Sequence, residues 1–149
     1  MKKGLTMMEL LIAITILVVL TAVALWALNP VGQIKRARNS QRSLHISAIL
    51  NAVRANIADT RTGIFTCATG DIPTSTKLMA TGAGNYNLGS CIVPNYLQIL
   101  PFDPSASSSY FTSLNDYNTG YNIVKNASSG EITVSAPYAE LGKVISVVN

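Results

Sequence analysis

The chain has 149 residues, 11 Lys and Arg against 7 Asp and Glu, a formal net charge of +4 and 48% hydrophobic residues. That length leaves room for one domain beyond any membrane segment. One histidine, with no metal-ligand spacing, phosphate loop or nucleophile beside a recognisable base, argues against an enzyme and implies no cofactor.

Residues 10–28, from Leu10 to Leu28, carry no charge, and only Thr15 and Thr21 are polar. As an α-helix this run spans about 28 Å, close to the hydrocarbon thickness of a bilayer. Glu9 stands where the run begins, and a carboxylate at the mouth of a membrane segment calls for a partner or a function. Lys2, Lys3 and Ala22-Val23-Ala24 offer the outline of a secretory signal peptide. The run, however, is longer than the usual 7 to about 15 apolar residues, and it starts with an acid. A plain single-pass anchor suits the length and would place Trp26 near an interface, but it leaves Glu9 unexplained.

Lys2-Lys3-Gly4-Leu5-Thr6-Met7-Met8-Glu9-Leu10 followed by an unbroken apolar helix resembles the class III leader of type IV pilins and of the pseudopilins of type II secretion. The resemblance implies that a membrane prepilin peptidase cuts between Gly4 and Leu5 and that the new amine of Leu5 is methylated. Leu5 stands where the family usually carries phenylalanine, and Glu9 matches its glutamate. The motif also has a physical logic. A freed Leu5 amine would lie one helical turn before Glu9, whose carboxylate the helix dipole favours. Between subunits stacked with an axial offset, Glu9 could pair with a neighbour's Leu5 amine and pin the register.

Leu28-Asn29-Pro30, followed by Lys35-Arg36-Ala37-Arg38-Asn39-Ser40-Gln41-Arg42, resembles the next segment of pseudopilin-G-like chains. The resemblance implies an α+β, type IV pilin-like fold. Its parts would be a leader over residues 1–4, a transmembrane and filament-core helix over 5–28, an amphipathic helix over 29–60 and an extracytoplasmic head over 61–149. It also implies a homo-oligomeric helical filament built from a membrane-inserted precursor by a separate assembly ATPase and platform. The N-terminus would lie inside and the head outside, although the four bases after the helix would by the positive-inside rule alone favour the reverse. Within the family, pilus and secretion pseudopilus are not distinguished. The alternative is a membrane-anchored surface adhesin or DNA-uptake module using Arg36, Arg38 and Arg42. Nucleic acid is not favoured, because the charge is local: residues 61–149 hold four bases and five acids.

Pro30 removes a backbone donor and Gly32 weakens helix, so a kink or melted turn is expected from Trp26 to Gly32, with a true break between an anchor and a separate helix as the alternative. From Gln33 to Asp59 the composition reads as helix, and Leu5 to Asp59 would make a rod of about 80 Å. Ile46, Ile49, Leu50, Val53 and Ile57 form a stripe at helical spacing, which Ile34, Ala37, Gln41 and Leu44 extend weakly. His45 reads as a helix-surface residue. Gly63 is the expected cap, and residues 60–118 read as a long Gly-, Thr-, Ser-, Asn- and Pro-rich connection with room for short helices around Pro94 to Leu100.

Asp103 and Asp116 alone fall short of a calcium site. Cys67 and Cys91 read as a disulfide if the head is exported, with two reduced thiols as the alternative. Tyr121–Lys125 and Glu131–Ala136 read as a hairpin, Lys143–Val148 as a third strand, and the Ile46–Ile57 stripe as the cover of this sheet. Asn126-Ala127-Ser128 matches a glycosylation sequon by chance.

Overall fold

The computed structural model describes residues 4–61 and 63–149, so Lys2, Lys3 and Thr62 lie outside the described residues. The chain forms two compact units, Met1–Lys35 and Arg36–Asn149.

The first unit is built on helix α1, Met7–Leu28. Leucine, alanine, isoleucine and valine dominate it, and its two threonines are absorbed without breaking it. Thr15 Oγ1 donates to the Leu11 carbonyl (2.7 Å) and Thr21 Oγ1 to the Leu17 carbonyl (2.6 Å), so neither hydroxyl is left bare on an apolar surface. None of its residues is buried. It is long and apolar enough, by length and composition, to cross a membrane.

Helix α2, Pro30–Thr60, begins in the first unit and continues through the second. The interruption is a single residue. Asn29 adopts a left-handed conformation (φ 41°, ψ 67°) that ends α1. Pro30 then occupies the first position of α2, where its missing N–H costs nothing. Asn29 Oδ1 accepts the Gly32 N–H (3.1 Å) and the Asn29 carbonyl accepts that of Gln33 (3.2 Å). In place of a melted turn there is a break between two helices, the alternative reading, and it is a tight one in which one side chain caps the next helix. Gly32 has a helical role: a Cβ there would approach the Asn29 side chain to 3.0 Å.

The second unit, called the head from here on, packs its part of α2 on a five-stranded antiparallel sheet. Its strands are β1 (Lys77–Ala80), β2 (Tyr110–Ser113), β3 (Asp116–Lys125), β4 (Ile132–Ser135) and β5 (Ser146–Val148). The order is β1-β3-β4-β5, and β2 shares with β4 the other edge of β3: Tyr110 faces Asn118, whereas Val134 faces Ile123. The gap between β2 and β4 is filled by a loop whose Asp103 N–H donates to the Thr119 carbonyl (2.8 Å). Gly120 makes that approach possible. It has φ +73°, and a Cβ would lie 3.0 Å from that of Asp103 and collide with Ser109 Oγ.

Ile46, Ile49, Leu50 and Val53 of α2 are buried against Met79, Tyr121, Ile123 and Val134 of the sheet. Toward the N-terminus the buried face runs through Arg42 and Asn39 instead of the expected Ala37, Gln41 and Leu44. Ile34 and Leu44 are 53% and 70% exposed, so the apolar extension read from the sequence points away from the core. Helix α2 stops at Thr60 with Arg61, not Gly63, as the first left-handed residue (φ 54°).

The connection read as one long loop holds β1, β2 and a one-turn helix, α3 (Gly89–Ile92). That helix ends just before Pro94, at the start of the stretch where short helices are expected. Cys67 and Cys91 are joined as a disulfide with Cα atoms 5.4 Å apart, tying the segment after α2 to α3. Asn56 holds both sides of this bridge: its side chain exchanges hydrogen bonds with the Thr66 peptide (2.9 and 3.2 Å) and donates to the Cys91 carbonyl (3.4 Å).

Candidate functional site

The residues singled out at the N-terminus fall into a defined local structure. Gly4 and Leu5 precede the helix in exposed chain, and a Cβ on Gly4 would meet nothing within 4 Å. Thr6 is the N-cap, with extended backbone (φ −75°, ψ 152°). Its Oγ1 accepts the Glu9 N–H (3.2 Å), and Glu9 Oε2 accepts both the Thr6 N–H and its hydroxyl (3.1 Å each). This is a capping box, in which two helix-end donors are satisfied reciprocally. Glu9 therefore has an intrachain role that reading it as an isolated acid in an apolar run did not foresee. Thr6 and Glu9, three residues apart before an apolar run, carry that signal in the sequence.

From Leu10 on, α1 presents apolar side chains on every face, and Trp26 near its end is 87% exposed. No face is reserved for a core inside this chain. A helix that is apolar all round belongs to the class found in large protein cores or across membranes.

The basic segment of α2 does not stay together as one charged face. Lys35 and Arg36 form no ion pair among the described residues, while Arg38 Nη1 reaches Glu140 Oε1 at 3.3 Å. Arg42 lies inside the protein with no exposed surface. Its Nε donates to Asp103 Oδ2 (2.8 Å) and its Nη2 to Oδ1 (3.1 Å), a two-point pairing. Arg42 Nη1 donates to Glu140 Oε2 (3.0 Å) and Asn39 Oδ1 (2.8 Å), and Nη2 also donates to Ser105 Oγ. Asn39 in turn exchanges hydrogen bonds with the Glu140 peptide (2.7 and 2.9 Å). Burial pushes the Asp103 carboxyl up, but the Arg42 guanidinium and the Ser105 and Ala106 N–H groups outweigh it and hold the pKa below its ordinary value. Burial likewise opposes the charge on Arg42, yet its hydrogen bond to Asp103, the larger effect, raises its pKa.

This network corrects one expectation. Arg42 cannot serve a DNA-facing surface, because its five donors are spent inside the head. Asp103, one of the two carboxylates weighed for calcium, is its partner, while Asp116 accepts from the Tyr110 hydroxyl (2.8 Å). His45, read as a surface residue, is half-buried with Nδ1 2.9 Å from the Tyr121 hydroxyl; burial lowers its pKa. Nothing local in the sequence marks these pairings, since Arg42 and Asp103 lie 61 residues apart.

No protein family, no curated protein and no solved structure matches this chain.

Proposed function

We propose that the chain is the precursor of a structural subunit of a type IV pilus or a secretion pseudopilus. In this reading it is inserted in the cytoplasmic membrane, trimmed between Gly4 and Leu5, methylated on Leu5 and polymerised through α1. The observation that carries the reading is α1 itself, a 22-residue helix with no buried residue, preceded by an exposed Gly4–Leu5 junction. An exposed, unhindered peptide is what a protease needs. A cut there leaves the Thr6–Glu9 capping box intact and brings a free amine to the helix N-terminus. Lipid would cover α1 before assembly and neighbouring copies of α1 would cover it afterwards. The head, with its own core and disulfide, would form the outer surface outside the membrane.

Glu9 enters this proposal with two roles. Within the subunit it caps α1; between subunits its charge would pair with the Leu5 amine of a neighbour. The capping box also favours the alternative of a plain membrane-anchored surface module, because Glu9 then needs no partner chain. The two readings part at the N-terminus. Expressed with a prepilin peptidase, the pilin precursor yields a mature chain beginning at methylated Leu5, detected by N-terminal sequencing and mass, and filaments visible by electron microscopy. A chain retaining Met1, or one starting near Trp26, sinks the proposal. Glu9→Gln separates the two roles, since glutamine also completes a capping box but carries no charge. Filaments should fail in that variant while α1 stays helical; normal filaments would remove the charge-pairing role.

A further inference from the structure

A sheet edge exposes a row of backbone donors and acceptors, and folded proteins pair, cover or blunt it. On the outer side of β1 the Leu78 carbonyl accepts the Tyr86 N–H (2.9 Å), and the gap beside β3 is filled by Asp103. The edge at β5 is treated differently. The Ala136 N–H donates to the Ile145 carbonyl and the Asn149 N–H to that of Ile132, both at 2.9 Å. Ile145, Val147 and Asn149 therefore turn their peptide groups toward β4, and by the alternation of an antiparallel ladder Val144, Ser146 and Val148 turn theirs outward. Arg54 Nη2 donates to the Val148 carbonyl (3.1 Å). Among the described residues, the peptide groups of Val144 and Ser146 take no partner.

The same segment, residues 143–147, forms one wall of a cleft of about 400 Å³ whose other wall is α2 at Arg36, Asn39, Ser40 and Ser43. The walls contain two cations, Arg36 and Lys143, both exposed, and no carboxylate. Unlike Arg38, Arg42 and Lys125, neither has an ion pair among the described residues. A small free anion would find few donors here. Ser40 and Ser43 give their hydroxyl protons to the Arg36 and Asn39 carbonyls (3.2 Å each), and the Asn39 amide is committed to Glu140. The unused groups are main-chain donors and acceptors in extended spacing beside two positive charges.

We propose that the open edge of β5 takes an extended acidic peptide segment as an added strand. Its main chain pairs with Val144 and Ser146, and acidic side chains at alternate positions face Arg36 and Lys143. Main-chain bonds supply attachment in such strand addition, and the side chains that alternate along it supply selectivity. The proposal concerns the head alone and stands whether or not α1 polymerises.

The test uses the full chain in detergent micelles, with a labelled hexapeptide alternating glutamate and valine and a counterpart carrying lysine for glutamate. The glutamate peptide should bind, slow hydrogen exchange at the Val144 and Ser146 amides, and outcompete the lysine peptide. Ser146→Pro removes an outward donor without touching the donors aimed at β4, and it should weaken binding at least about tenfold. Arg36→Glu combined with Lys143→Glu, both on exposed positions, should reverse the preference toward the lysine peptide. No binding by the parent chain, equal binding of both peptides, or full binding by Ser146→Pro would each overturn the proposal. Self-association of the parent that Ser146→Pro disperses would also overturn it, by assigning the edge to a second copy.

Discussion

Helix α1 and the head solve the same problem, the disposal of apolar surface, in opposite ways. The head buries its apolar residues within the chain and can place an arginine and an aspartate inside, because each finds several partners there. Helix α1 buries nothing, yet its polar groups are nearly all settled locally: two threonines bond back to the turn before, and Thr6 and Glu9 close the first turn. A helix whose backbone and side-chain polarity is satisfied within itself can move from lipid to a protein bundle without exchanging hydrogen bonds. The head cannot be transferred in that way. Its stability rests on pairings between residues far apart in sequence.

The largest expected effect tests that dependence. Arg42→Met removes the cation that Asp103 and Glu140 share and leaves Asp103 buried and charged. Breaking a buried pair in this manner costs about 3–5 kcal/mol. Denaturant unfolding of the head should register the loss, while the helical signal of α1 in micelles stays as it was. Adding Asp103→Asn should restore part of the stability, because the amide oxygen can still accept from Ser105 and Ala106 and no unpaired charge remains. Equal losses in the single and double variants would show that packing around Arg42, not its charge, holds the loop.

The same contrast explains what could be read from the chain. Local signals were legible: the apolar run, the interruption at Asn29–Pro30, the stripe from Ile46 to Val53, and the hairpin of β3 and β4, whose turn chemistry stands between two β-branched runs. Signals that depend on a distant partner were not. Arg42 reads as one more base in a charged segment until Asp103 is brought to it, and β1 and β2 are four-residue strands too short to show a period. Leu44 was misplaced for a related reason. Its apolarity suggested burial, but the face of α2 below Ile46 is filled by Asn39 and Arg42, and the helix cannot present both stripes to one sheet. The capping box is a local signal too, carried by Thr6 and Glu9 at a spacing of three residues before the apolar run.

A smaller effect probes α1 directly. Thr6→Ala removes the hydroxyl that caps the helix and should cost about 1 kcal/mol of helix-end stability. In micelles, amide exchange should speed up at Met7 to Glu9 and remain unchanged from Leu11 on, where lipid-like surroundings hold the helix. Head unfolding should not move. If fraying spread through the apolar run, α1 would depend on its cap more than on its surroundings, and the contrast between the two regions would weaken.

The smallest effect separates two acid-sensitive groups inside the head. His45 is half-buried against the Tyr121 hydroxyl, and burial lowers its pKa from the ordinary 6.5. As pH falls through that ordinary value the unfolded chain takes up a proton that the folded His45 still refuses, so stability declines until the folded histidine is protonated too. Asp103 acts in a lower window. Its folded pKa lies below the ordinary 3.8, so the stability it contributes is complete above that value and is lost as pH falls through the folded one. Unfolding measured from neutral pH downward should show a shallow loss beginning near the ordinary histidine value and a steeper one below the ordinary carboxylate value. His45→Gln should remove the first and leave the second, since glutamine can still meet Tyr121 but does not titrate. Persistence of the first step in that variant would assign it elsewhere, and α1, whose capping bonds lie outside the head, should show no step in the histidine window at all.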